Sequence, residues 1–403
     1  MKVAIITSGE PSNTKGIMNY VREKMSRMQQ LQNDEFSVDL YMIRRRYSIW
    51  YSIIFRLFKG WNGNSYRNDH SESFQKGEVL FHNLWVDVGL LDFFINTKLS
   101  YKPISTRSIR RLHKYLQHYD IVATHKLDSH YLGYTLWKEY GIPYVATWHG
   151  SDIHTDPILN PKLMHLTKAI IENAGMNFFV SKALKEESYR ITPNGLKEHI
   201  YTGPSSSFIR FEDGDRKGLR KRFGVVGKKV VAYVGNIIDV KNVMCLPGIF
   251  KKVVDKFQGE VKFWIIGNGN QEQELITKLK ETTVNYKHWG KIQPEEMPEY
   301  MNCIDVLVFP SKKEGIGLVA LEARSCGANV VGSKVGGIPE GIGQTENCFL
   351  IDEDFYDNIS ERIVEILDKG EKPKPLSQEF SWGYAVQKEF NIYMKLAEKR
   401  KRK

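Results

Sequence analysis

Glu314 and Glu322 stand on either side of a short glycine-rich stretch, Gly315-Ile316-Gly317-Leu318. Glycine lets backbone amides approach a ligand closely. A helix start just beyond would aim free N–H groups and the positive end of its dipole at the same place, which is how proteins hold anions. Carboxylates repel phosphate, so two of them beside an anion site need another purpose. They suit hydroxyl groups, from which they accept hydrogen bonds. The chemistry these residues imply is an anion held by main-chain nitrogen with sugar or ribose hydroxyls gripped nearby.

The flanking sequence supplies the elements for this. Ile304-Asp-Val-Leu-Val-Phe309 reads as a buried strand, ended by Pro310 and Ser311, and Leu318 to Cys326 has helical spacing. The same grammar recurs along the chain. Lys2 to Thr7 predicts a strand, and a loop ending in Lys15-Gly16 leads into a helical pattern over Ile17 to Met28. Asp120 to His125 and Pro143 to Trp148 are strands ending in polar residues, His125 in one and His149-Gly-Ser-Asp152 after the other. Ligands of open α/β sheets bind beyond such strand ends. A histidine there also serves structure alone, and a tight turn alone accounts for Gly16. No G-x-G-x-x-G dinucleotide fingerprint follows the first strand, so no nicotinamide cofactor is expected.

The stretch E-G-x-G-L-x-x-x-E-A from Glu314 to Ala323 resembles the family 4 retaining glycosyltransferases. The resemblance implies a GT-B fold: α/β, two Rossmann-like domains facing a cleft, with a C-terminal helix crossing back to the first. The implied boundaries are 1–204 for an acceptor-binding domain, 205–378 for a nucleotide-sugar-binding domain and 379–403 for the returning helix and a basic tail. The resemblance implies a catalytic set of His149, Lys241 and Glu314. It puts the donor against Gly16, Asn236, Gly267, Lys291, Ile292, Gly315, Ile316, Gly317, Leu318 and Glu322, with Glu322 on the ribose and Lys291 and Ile292 near the base. Lys15, His125 and Asp152 fall on the acceptor side. Asn236 stands where relatives carry arginine, and Gly203-Pro204 replaces their Pro-Asn-Gly. Glu340, in Gly336-Gly-Ile-Pro-Glu340, is expected to hold its loop. The implied reaction moves a sugar with retention from a nucleotide diphosphate donor, UDP before GDP, to a lipid-linked or oligosaccharide acceptor. Neither metal nor other cofactor is expected.

Composition sets the outer bounds. The 403 residues suffice for two or three domains, with 26% charged and 41% hydrophobic residues, as in soluble globular proteins. Cys245, Cys303, Cys326 and Cys348 form no C-x-x-C pair and are expected to be reduced and buried. No signal peptide or membrane-length apolar run is recognised. The net charge of +11 favours anionic partners. From Arg44 to Trp61, arginine and lysine interleave with aromatic and aliphatic residues and no acid appears. That predicts a basic amphipathic helix, either on an anionic membrane surface or packed on the core with a solvated basic face; the first reading, taken with the resemblance, implies a cytoplasmic, peripherally bound protein serving polysaccharide assembly. Two other readings stay open: a nucleotide-sugar 2-epimerase of the same fold, and a non-catalytic basic binding protein. No nucleic-acid module is recognised.

Overall fold

The computed structural model describes residues 1–9, 16–48, 71–89 and 102–402. They form two compact units. The first comprises Met1–Ile200 and Trp382–Lys403, the second Tyr201–Ser381. The expected boundaries at 204/205 and 378/379 lie a few residues from these.

The first unit is built on an eight-stranded sheet. In chain order its strands are β1 (Lys2–Ser8), β2 (Ser37–Tyr47), β3 (Ser73–Lys76), β4 (Val79–Val88), β5 (Ile121–His125), β6 (Tyr144–Trp148), β7 (Met176–Phe179) and β8 (Lys197–His199). Their spatial order is β3-β4-β2-β1-β5-β6-β7-β8, parallel except for the edge hairpin β3–β4. The sheet grows one way from β1 through β2 and then the other way from β5, so its topological switch lies between β1 and β5. Burial is complete across β5 and β6, which explains why those segments carry apolar residues without alternation.

The second unit has six parallel strands: β9 (Lys229–Val234), β10 (Val261–Ile266), β11 (Tyr286–Gly290), β12 (Val306–Phe309), β13 (Asn329–Ser333) and β14 (Cys348–Phe349). Their order is β11-β10-β9-β12-β13-β14, with the switch between β9 and β12. Successive side chains go to opposite layers. Val231, Tyr233, Phe263, Ile265, Val306 and Val308 pack under the helices Leu246–Lys256 and Phe355–Lys369. Val230, Ala232, Trp264, Ile266, Leu307 and Phe309 pack with Ala320 and Ala323 of the helix Leu318–Ser325. Each fully buried aliphatic or aromatic side chain contributes roughly 1.5–3 kcal/mol, so these two layers dominate the unit's stability.

The helix Trp382–Lys401 belongs to the first unit, as the expected return of the chain requires. Where the chain enters and leaves the second unit, Tyr201 stacks on Phe380 with ring centroids 4.4 Å apart. A Cβ on Gly203 would lie 2.6 Å from the Phe380 carbonyl oxygen. The backbones pass too closely for any other residue, so Gly203-Pro204 keeps a junction role.

Two expectations are corrected. Arg44 to Tyr47 do not begin a helix; they complete β2 and pair with Trp85 to Val88 of β4. Alternating partners explain this. Arg44 lies over the Trp85 ring, Arg45 pairs with Asp128 at 2.7 Å and Arg46 with Asp87 at 3.1 Å. Residues 49–61 of that stretch lie outside the described residues. Gln293-Pro294-Glu295-Glu296, with proline and acids together, reads as a helix start, but the helix begins instead at Met297, with Pro298 in its first turn.

Candidate active site

In the second unit the candidate residues collect at the C-terminal ends of the parallel strands. Gly235 and Asn236 follow β9, Gly267 follows β10, Gly290 ends β11 with Lys291 just beyond it, and Glu314 lies in the loop after β12. The loops after β9 and β12 flank the topological switch, where such sheets take ligands. They are tied together: the Lys312 N–H donates to the Val240 carbonyl (2.9 Å), and Lys312 Nζ pairs with Asp239 at 2.7 Å. Lys241 closes a short 3-10 turn, Asp239–Lys241, and its ammonium forms an ion pair with Glu314 Oε2. Lys241 and Glu314, expected in separate roles, are thus partners here. Both side chains are about a fifth exposed, so the pair is reachable from solvent.

Behind Glu314 the backbone is closely backed. A Cβ on Gly336 would lie 2.6 Å from the Glu314 carbonyl oxygen, and one on Gly341 2.7 Å from that of Ile316. Gly317 adopts φ 75°, and a Cβ there would meet the Phe309 ring at 2.4 Å. Gly315, Ile316 and Gly317 are buried, yet the N–H groups of Gly315, Ile316, Gly317 and Leu318 donate to nothing among the described residues. No side chain caps this helix start. Buried amides without acceptors are costly, about 1–3 kcal/mol each, unless a ligand takes them.

Glu322, on the same helix, is half-buried and has no side-chain partner among the described residues. Burial pushes its carboxyl up to about 7. Gly267 lies against β9: a Cβ there would meet the Gly235 carbonyl oxygen at 1.9 Å, so the β9 and β10 ends pass in near contact. Asn236 and Lys291 are exposed, and Ile292 packs partly on the core. Glu340 accepts a hydrogen bond from the Tyr201 hydroxyl, consistent with its holding role.

In the first unit, His149 Nε2 lies 3.0 Å from His125 Nδ1. His125 is completely buried, which departs from the acceptor-side expectation: it stands behind His149. Asp152 also turns inward. Its carboxylate accepts the N–H groups of His149 (3.1 Å) and Gly150 (2.8 Å), and burial raises it to about 6. It shapes the His149 loop. Burial, with Lys24 and Lys126 nearby, drives His149 down to about 3, so the ring is neutral at any working pH. Gly16 opens the helix Gly16–Gln29 with nothing near a notional Cβ. Lys15 lies outside the described residues.

Sequence reasoning missed four residues here. Lys24, on the helix Gly16–Gln29, is buried and ion-paired with Glu389 of the helix Trp382–Lys401. It also reaches Tyr393 Oη at 3.2 Å and His125 Nε2 at 3.3 Å. Tyr20 sits edge-on to His149, ring centroids 4.7 Å apart, and touches His125 and Trp382. Among the described residues no group of three or more His, Cys, Asp or Glu is placed to hold a metal ion. All four cysteines are buried and free.

Solved structures of like architecture place the fold. Sucrose-phosphate synthase from Thermosynechococcus elongatus matches with a TM-score of 0.73 and 18% identity, covering 98% of each chain. HepE from Anabaena, solved in complex with UDP, matches with a TM-score of 0.67 and 14% identity over 100% of each chain. These are GT-B architectures. The family follows from the sequence itself: the model described as Glycosyl transferases group 1 matches residues 215–380, and that described as Glycosyltransferase Family 4 matches 66–203. The chain belongs to the family 4 glycosyltransferases. Among curated relatives, the N-acetyl-alpha-D-glucosaminyl L-malate synthase of Bacillus anthracis is 26% identical over 259 residues, 62% of this chain. That alignment spans 65% of the relative, just under two thirds of its length.

Proposed function

We propose that the chain transfers a sugar, with retention of anomeric configuration, from a nucleotide diphosphate sugar to an acceptor hydroxyl. The observation that carries this is the row of N–H groups from Gly315 to Leu318, without acceptors among the described residues, beside the Lys241–Glu314 pair. The row fits a diphosphate. On donor binding, Lys241 turns from Glu314 to the phosphates, and Glu314 is released to accept a hydroxyl of the donor sugar. Glu322 grips the ribose hydroxyls. The bond between the anomeric carbon and the β-phosphate oxygen breaks, and the acceptor oxygen bonds to that carbon on the same face. The acceptor proton passes to the departing phosphate oxygen. Preorganised N–H groups and Lys241 stabilise the charge that develops there. Neither glutamate acts as a nucleophile, and the reaction needs no metal.

UDP is the favoured nucleotide; that HepE, of the same fold, is described with UDP supports this choice. The acceptor is a lipid-linked glycan of surface polysaccharide, and the protein works at an anionic membrane face through the basic aromatic stretch around 49–61. Among the described residues no helix is long and apolar enough to cross a membrane.

Calorimetry with UDP and GDP, followed by product analysis with a panel of UDP- and GDP-sugars, tests the reading. UDP is expected to bind, and Glu322→Gln to weaken it about tenfold, the worth of a charge-assisted hydrogen bond of roughly 1.5 kcal/mol. Failure of both nucleotides to bind would overturn it. Flotation on anionic against neutral vesicles tests the membrane part, which equal recovery on both would remove.

A further inference from the structure

We propose that Lys24, held by Glu389 and Tyr393, acts through His125 to lock His149 in one neutral tautomer, with its proton on Nδ1, as a fixed hydrogen-bond donor to an oxygen of the substrate. The inference rests on the reading of His149 as a site residue.

The argument is a count of protons. An ammonium has three N–H donors and no lone pair. Lys24 has three acceptors: Glu389, the Tyr393 oxygen at 3.2 Å and His125 Nε2 at 3.3 Å. Tyr393 spends its own O–H on Glu389 Oε2, at 2.5 Å, and so offers Lys24 a lone pair. His125 Nε2 must therefore accept. A neutral imidazole that accepts on one nitrogen carries its proton on the other. The His125 proton is then on Nδ1, which lies 3.0 Å from His149 Nε2. His149 Nε2 must accept in turn, and its proton is left on Nδ1. That nitrogen donates to nothing among the described residues.

The surroundings keep both rings neutral. Burial, Lys24, His149 and His130 hold His125 well below the usual histidine range. Tyr20 and Tyr393, raised by burial, stay protonated. His149 therefore cannot collect a proton through Nε2 as a general base. It can only present Nδ1–H, which suits an oxygen acceptor. Lys24, Glu389 and Tyr393 are positioning residues.

Long-range proton–nitrogen spectra of the full chain, labelled with 15N-histidine, read the tautomers directly. His149→Gln and His125→Gln spectra assign the peaks. His149 and His125 are each expected to show a protonated Nδ1 and a bare Nε2. Lys24→Met should abolish that pattern in both rings, because nothing then obliges His125 Nε2 to accept. The double variant Lys24→Met/Glu389→Met, which leaves no buried charge, serves if the single variant does not fold. A wild-type His149 protonated on Nε2 overturns the proposal, and so does a folded Lys24 variant with unchanged tautomers. His149→Ala with unaltered turnover would instead remove His149 from the reaction and leave the tautomer result standing.

Discussion

Glu322 carries a conflict between stability and binding. Its carboxyl titrates near 7 in the folded chain against 4.5 for a free side chain, because burial disfavours the charge. A raised folded value adds stability that is complete below about 4.5 and is lost as pH rises through about 7. At 1.36 kcal/mol per unit the loss is at most about 3 kcal/mol. Glu322→Gln is therefore expected to match wild type in urea at pH 4 and to exceed it by about 1–3 kcal/mol at pH 8. The gain accompanies weaker donor binding. The Lys24–Glu389 pair shows the opposite balance. Lys24→Met alone strands a buried carboxylate, at a cost of about 3–5 kcal/mol, whereas Lys24→Met/Glu389→Met should return close to wild type in denaturant midpoint. Both residues left a readable trace. Lys24 sits in phase with Val21, Met25 and Met28, and Glu389 in phase with Ala385, Val386 and Tyr393, all on buried faces. One cation and one anion, each at an apolar helical position, call for each other. What no spacing could reveal was that His125 would lie between this pair and His149, since that needs the packing of a segment more than 200 residues away.

Strands and glycine turns were the legible elements. Apolar runs predicted β1, β5, β6 and β12, because strands covered on both faces need no alternation. The edge strands β3, β8 and β14 escaped, being short and partly solvated. The end of β2 read as helix because its last residues are arginines, whose charge reads as surface although Arg44 is buried on Trp85. The glycines of the site differ in ways their letters do not show. Gly267→Ala puts a methyl 1.9 Å from a backbone oxygen that cannot move aside, and should cost about 3–5 kcal/mol or prevent soluble accumulation. Gly317→Ala strains a left-handed residue by about 1–3 kcal/mol and pushes on Phe309, so thermal stability and UDP affinity should fall together. Gly16→Ala meets nothing and should hold or raise stability by up to about 1 kcal/mol. A fall in donor affinity in that variant would mark close approach of the ligand.

At the scale of the whole chain, the second unit carries both of its core layers within Tyr201–Ser381, whereas the first draws a helix from beyond it. Removing residues 382–403 is expected to leave Lys24 without Glu389 and to unfold the first unit. The second should keep a cooperative thermal transition and its binding of UDP, as scanning calorimetry and titration of the shortened chain would show. The same connectivity imposes an order on synthesis. While a ribosome extends the chain, the earlier-made unit must wait, its lysine facing an apolar interior with no counterion. Meanwhile the later-made one can close around its own sheet. A stalled or prematurely terminated product would thus be a folded second unit tethered to an unfinished partner, and chaperone demand should fall on the half that was translated first.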